Sequence, residues 1–478
     1  MADHGYEQPY EKSFCAVPAA CRRPEVLFLG SGVGLWAASS LSGRLPGLGG
    51  GLAVVDRGGL ELLTHVGNTD FPRYPILRAR RPLFGGLLSQ WGVSAPRPSD
   101  DYLARFPYPS ADLMARFARV EAELGVPDSI PMGCGALQER LLDRLTRGLP
   151  DSKFRLAPLA IDRYGKRWSP LGRIPELAAR GSRLVARFRC TRLEMDSAGA
   201  VAVRGRWLVD GSEWVLRPRV LVLGLGVRET LPLMQHLCRQ DTPIEPADHL
   251  RIDLHAGLPA DAFGVEPAES LGVAVLLMEG RSGRASIPYH LEIKVAPRCL
   301  WPRFMPSGDN LRGICTDDSI DAQVQVIAAM HDRLPPWDLL NIGPESTLRP
   351  VMSARDAEFH GELVAVMGEV ARVIGIANPT FSFRPLLENH HVYGAFRVGR
   401  AVDANFRFRA ADNLYILPPT SYVDLDDDAN PTLKSLVLAD YAMDAVAARL
   451  DASFLGSGQH GGSTANVPAD SDRPQLVA

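Results

Sequence analysis

Apolar runs along this chain are short and fall into a few recurring forms. VLFL (residues 26–29) is continuous, stops at Gly30 and leads into GVGLWAASSL, which reads as a buried strand, a tight turn and a helix. LAVV (52–55) is a second such run and ends at Asp56, and VLVL (220–223) is a third, followed by another glycine-rich turn. RLVARFRCTRLEMDSAGAV (183–201) alternates like a hairpin, and SIPYHLEIKVAP (286–297) alternates like a single strand. Towards the end, Pro431 opens a stretch with apolar positions at 433, 436, 437, 443 and 446–447, which predicts a helix with Asn430 as its cap.

The first turn carries candidate chemistry. Gly30 permits the tight bend, and Gly32 lets backbone approach an anion with no Cβ in the way. The helix beyond aims free N–H groups and its positive dipole end at the same place. The third glycine of a G-x-G-x-x-G pattern is replaced by Leu35, with Gly34 beside it able to restore close helix–strand packing. Asp56 stands 24 residues past Gly32, where an acid takes a ribose hydroxyl pair. Strand, turn, helix, strand and acid in that order point to an adenine dinucleotide and do not separate FAD from NAD.

Composition narrows the class. With 46% hydrophobic and 22% charged residues, the 478-residue chain has enough apolar content for two or three domains with ordinary cores. A formal charge of −3 gives no electrostatic case for nucleic acid or an anionic membrane. No apolar run nears the roughly 18 residues of a membrane span. The acidic, polar start MADHGYEQPYEKSF does not read as a secretory signal, and seven cysteines without CxxC spacing favour reduced thiols. The expected setting is the cytoplasm. No internal repeat is evident, and the polar segment from Gly456 reads as a disordered tail.

Residues 389–450 contain His391, Gly394, Arg397, Gly399, the run NLY at Asn413 and the NPT that opens at Asn430. At these spacings the chain resembles the carboxy-terminal signature of the glucose–methanol–choline (GMC) flavin oxidoreductases. The middle agrees: Gly226, Glu229 and Thr230 look like that family's G-x-x-E-T turn, and the hairpin around Cys190 looks like its strand over the adenine. FGGLLSQWGVSAP (84–96) is similar to the flavin-contacting segment of the pyranose 2-oxidase branch, with Gly85, Gly86, Gln90 and Trp91 at the matching positions. That branch links flavin through a histidine and has a threonine two residues on. Here those places hold Gln90 and Gly92, so the resemblance implies FAD held non-covalently.

The resemblance further implies an α/β chain, α+β overall. It divides into an N-terminal arm (1–21), a discontinuous Rossmann-like FAD-binding domain (22–235 and 392–452), a substrate-binding domain on an antiparallel or mixed sheet (236–391) and a tail (453–478). His391 would be the base that takes the hydroxyl proton of an alcohol, with His390 the rival on the opposite face of an extended segment. Asn430 would orient the substrate oxygen, since an amide is no base at neutral pH. Pro431 and Thr432 would bring a helix N-terminus to the flavin pyrimidine, where reduction places charge. Tyr289, His290 and Glu292 are weaker pocket candidates beside an ordinary-strand reading. Asp424, Asp426, Asp427 and Asp428 just before Asn430 fit either a solvated turn or a receptor for an ammonium group, as in an amino sugar or aminocyclitol. The activity so implied is oxidation of a sugar, amino sugar or aminocyclitol hydroxyl by hydride transfer, with O2 or another acceptor, in secondary metabolism. The partner is a small-molecule alcohol, with neither nucleic acid nor membrane, for a monomer or homo-oligomer. Two rivals remain at this point: a redox-neutral lyase on the same scaffold, and a flavoprotein partner without turnover.

Overall fold

The computed structural model describes residues 22–59, 84–91, 94–98, 100–126, 136–160, 168–238, 242–244, 246–259, 261–264, 274–281, 288–297, 320–329, 354–383, 392–422 and 431–456. Among them, parallel and antiparallel sheets combine with helices into a mixed α/β architecture.

The first sheet is wholly parallel, in the order β14 (Leu414–Ile416), β8 (Val220–Leu223), β1 (Val26–Leu29), β2 (Leu52–Val55) and β4 (Arg183–Val185). Every residue of β1, β2 and β8 is buried, as the unbroken apolar runs require of strands covered on both faces. From β1 the chain order runs outward in both directions. Open parallel sheets bind ligands outside the carboxyl ends of their strands at such a switch point.

The first helix (Gly32–Arg44) and the final helix (Pro431–Gly456) lie side by side. Trp36 Nε1 donates to the Leu436 carbonyl (3.0 Å), Ser40 Oγ to Asp440 Oδ1 (2.6 Å) and Arg44 Nε to Asp444 Oδ1 (2.6 Å). All three pairs share one offset, 400 positions, so the helices run parallel and in step. The helix Ser110–Leu124 joins them: Asp440, 5% exposed in its side chain, receives Arg44 (3.0 Å), Arg116 (2.9 Å) and Arg119. Burial pulls the Asp444 carboxyl up, but Arg44 and Arg116 outweigh it and hold the group below its ordinary range. Asp440→Asn, which strands guanidinium groups at a helix junction, should cost roughly 2–4 kcal/mol in urea unfolding.

The second sheet is antiparallel, in the order β13 (Phe381–Phe383), β9 (His249–Leu258), β12 (Ile320–Ala329), β11 (Pro288–Pro297), β10 (Ala274–Arg281) and β3 (Phe154–Leu156). One face is apolar, with Leu291, Ile293, Val324, Val326, Ile252 and Leu254 buried, and the helix Ala354–Ile374 packs on its strands. Residues 136–156 fall on the first side of the domain boundary expected from the sequence, yet they pack with this sheet. β3 is its edge strand, and the helix Ala136–Gly148 meets Ala354–Ile374 closely enough that a Cβ on Gly148 would lie 2.6 Å from Val373. A third, smaller sheet is the meander β5 (Phe188–Met195), β6 (Val201–Trp207) and β7 (Glu213–Leu216).

Candidate functional site

Three glycines make the switch point. Gly30 has φ +98°, and a Cβ there would lie 2.7 Å from the carbonyl carbon and oxygen of Gly224. A Cβ on Gly224 would in turn meet the backbone nitrogen of Gly34 at 3.0 Å. Backbone therefore packs on backbone where β1, β8 and the first helix converge. Gly34 does pack closely beside a strand end, and its partner is Gly224. Gly226, which the resemblance puts in a cofactor-contacting turn, has φ +76°, and a Cβ there would meet nothing within 4 Å.

The first helix begins without a side-chain cap and without an acidic residue in its first turn. Its N-cap residue, Ser31, is committed elsewhere. Ser31 N–H and Oγ both donate to Asp56 Oδ2 (2.7 and 2.6 Å), and Ser31 Oγ accepts from Gly85 N–H (2.7 Å). Gly58 N–H donates to Asp56 Oδ1 (2.6 Å). One buried carboxylate thus ties the end of β2 to the glycine turn and, through Ser31, to the 84–86 segment. Burial raises the Asp56 carboxyl, with the Ser31 and Gly58 hydrogen bonds and Arg57 opposing. Donors among the described residues fill three of about four lone-pair positions on the carboxylate. Ser31→Ala should cost about 1.5–3 kcal/mol in chemical denaturation, the worth of a hydrogen bond to a buried charge.

The other expected contacts sort by position. A Cβ on Gly86 (φ +54°) would lie 3.5 Å from Gly32 Cα, so the 84–86 segment packs backbone to backbone against the turn. Gln90 ends a short helical turn, Leu87–Gln90. Trp91 packs edge-on to Trp168 (6.1 Å between rings) and donates its indole N–H to the Trp168 carbonyl (3.3 Å). Glu229, in the first turn of the helix Val227–Met234, bridges to Arg57 (3.1 Å), with both side chains about half exposed. Cys190 stands at the β-bulge of the β5–β6 hairpin, whose root is fixed by Phe188 N–H donating to the Asp56 carbonyl (2.8 Å). Burial pushes the Cys190 thiol up to about 12, so it stays protonated at neutral pH. Pro431 and Thr432 begin the final helix, which also has no acid in its first turn. With the helices in step, Thr432 lies level with Gly32, and two positive helix ends converge on one place.

His390, His391, Asn430, Asp424, Asp426, Asp427 and Asp428 lie outside the described residues. Just beyond His391, Tyr393 pairs with Ala247 through two backbone hydrogen bonds of 2.9 Å, and its ring packs 4.8 Å from that of His249.

The second face of the antiparallel sheet is polar and yet buried. Register sets Glu292 of β11 opposite Gln325 of β12, and Gln325 opposite Asp253 of β9. His290, Glu292 and Lys294 alternate along β11 and are 4%, 2% and 3% exposed. Lys294 Nζ pairs with Glu292 Oε2 (2.6 Å) and donates to Gln325 (3.1 Å). Burial raises the Glu292 carboxyl, but Lys294, His290 and Ser94 outweigh it and bring the group down to about 2. His249, fully buried, is held well below its ordinary value by burial and by Lys434 and His290, which keeps the imidazole neutral. Lys434, one turn into the final helix and fully buried, sits over the rings of Tyr102 (4.5 Å) and Tyr422 (4.2 Å). Of these residues, sequence reasoning had marked only His290 and Glu292, as weak pocket candidates.

The described residues hold no group of three or more His, Cys, Asp or Glu suited to a metal ion, and no helix among them is long and apolar enough to cross a membrane. No protein-family model matches the chain, and no curated protein matches it.

Proposed function

We propose that this chain is a FAD-dependent oxidoreductase of the GMC type that oxidises an alcohol to a carbonyl. The observation that carries the reading is the pair of parallel helices with level N-termini at a glycine-packed switch point. Those residues fit an adenine dinucleotide. Gly32 and Gly86 meet with no side chain between them, the uncapped first helix supplies N–H donors for a diphosphate, and Asp56 keeps one acceptor position, among the described residues, for a ribose hydroxyl. The final helix, from Pro431 and Thr432, brings a second positive end to the electron-rich ring. Together with the carboxy-terminal motif, this favours FAD over NAD, and Gln90 makes the attachment non-covalent.

Bound FAD would supply the hydride acceptor. The chain does the rest: His391 takes the hydroxyl proton, Asn430 orients the oxygen, and the sheet face of His290, Glu292 and Lys294 closes the substrate side and excludes water. In this reading residues 22–235 and 392–452 make a Rossmann-like FAD domain, less the segment 136–156 that packs with the second sheet.

The test is optical. Purified protein should be yellow, release FAD on denaturation, and bleach without oxygen when given its alcohol. His391→Ala should keep the colour and slow bleaching by about 10²–10⁴-fold. A colourless protein overturns the reading, and a flavin that stays oxidised through a broad alcohol screen moves it to the redox-neutral rival.

A further inference from the structure

Arg57 and Glu229 meet at the end of the parallel sheet. The Arg57 guanidinium bridges both oxygens of the Glu229 carboxylate, at 3.1 and 3.3 Å, in the forked arrangement that these two groups favour. The resemblance puts Glu229 in a cofactor-contacting turn and gives Arg57 no role.

Strand register fixes what the bridge crosses. Leu29, the last residue of β1, is level with Val55 of β2 on one side and with Leu223 of β8 on the other. Arg57 stands two positions past Val55, and Glu229 lies in the first turn of the helix Val227–Met234 that follows β8. The two halves of the bridge therefore come from opposite sides of β1, which continues into the Gly30–Gly32 turn. Neighbouring strands are about 4.8 Å apart, so the bridge joins chain segments roughly 10 Å apart across the carboxyl end of β1.

A dinucleotide laid along this edge meets the residues in order. Its diphosphate belongs at the glycine turn and its ribose at Asp56, so the adenine falls beyond Asp56, towards Arg57 and Glu229. We propose that the Arg57–Glu229 bridge is a strap across the adenosine half of the site, closed over bound ligand and parted when ligand is exchanged. The strap rests on the dinucleotide reading and adds to it the route by which ligand enters and leaves. Its strength suits that task. The side chains are 40% and 48% exposed, so water and salt reach the pair, and such bridges hold weakly enough to open. A plain tie between β2 and the helix would steady the ligand-free protein just as much, whereas a strap acts on release.

A double-mutant cycle on the holoprotein tests it, with release followed by the fluorescence of free FAD. Arg57→Ala and Glu229→Ala should each release FAD about two- to fivefold faster, and the double variant no faster than either single one. Exchanging the charges, Arg57→Glu with Glu229→Arg, should return most of the retention. High salt should speed release from the parent more than from the double alanine variant. Urea unfolding of the ligand-free proteins should be alike across the series. Parental release rates in the single variants overturn the strap, as do single effects that multiply in the double variant. Ligand-free stability that falls in step with retention also overturns it, because the bridge is then only a tie. A protein that takes up no FAD sinks the flavin reading, and the same cycle is then read on the dissociation of ADP, which shares the adenosine half. Coupling there supports the strap, and its absence overturns it. A protein that takes up neither overturns both.

Discussion

Gly30→Ala should leave little folded protein. Its Cβ would stand 2.7 Å from Gly224 backbone on a residue held at φ +98°, so overlap and conformational strain act together. Each is worth about 1–3 kcal/mol, and their sum is a large part of a typical domain's stability. The neighbouring substitution behaves differently. A Cβ on Gly32 meets Gly85 oxygen at 3.6 Å and Leu88 Cβ at 3.9 Å, which is ordinary contact. Gly32→Ala should therefore fold with stability within about 1 kcal/mol of the parent and, if the proposed flavoprotein reading holds, retain FAD at least tenfold less well. Denaturation curves and flavin retention, measured on both variants, separate a glycine needed for folding from one needed for the ligand. Equal stability loss in the two would remove that distinction.

Lys294→Met should be the most damaging change in the second sheet, at about 3–5 kcal/mol, because it leaves the Glu292 carboxylate buried without its cation. Adding Glu292→Leu should recover most of that loss, since a buried ion pair replaced by apolar groups of similar size is close to neutral. The pair also sets an acid limit. With the Glu292 carboxyl depressed to about 2 from an ordinary 4.5, its stabilisation is fully present above pH 4.5 and is lost as pH falls towards 2. In Lys294→Met, burial acts on the carboxyl with its main counter-charge gone. Its pKa should then rise, and this acid-side loss should disappear. Urea titrations from pH 2 to 7 on parent, single and double variants check all three statements, and a double variant as unstable as the single one would refute the pairing argument.

The polar strand shows where sequence reading stops. The stretch YHLEIKV reads as a strand, and β11 is that strand, with His290, Glu292 and Lys294 on one face. The same pattern ordinarily means a face turned to water, and these three side chains are almost wholly covered. A period of two says which residues share a face and is silent on which layer lies over it. Gly224 and Gly226 are likewise indistinguishable by local pattern. Both stand in LGLGV, and only the crossing of β1, β8 and the first helix makes the former the point of closest approach.

Local chemistry written into the chain fixed the strand–glycine–helix opening, the acid at the end of β2, the hairpin around Cys190 and the helix that starts at Pro431, because backbone freedom, capping and periodicity act over a few residues. The tertiary structure alone decided that helices 400 positions apart run in step with level N-termini, that Ser31 serves Asp56 and Gly85 instead of its own helix, and that a charged sheet face is sealed inside. Those outcomes depend on contacts between distant segments, which no local pattern encodes.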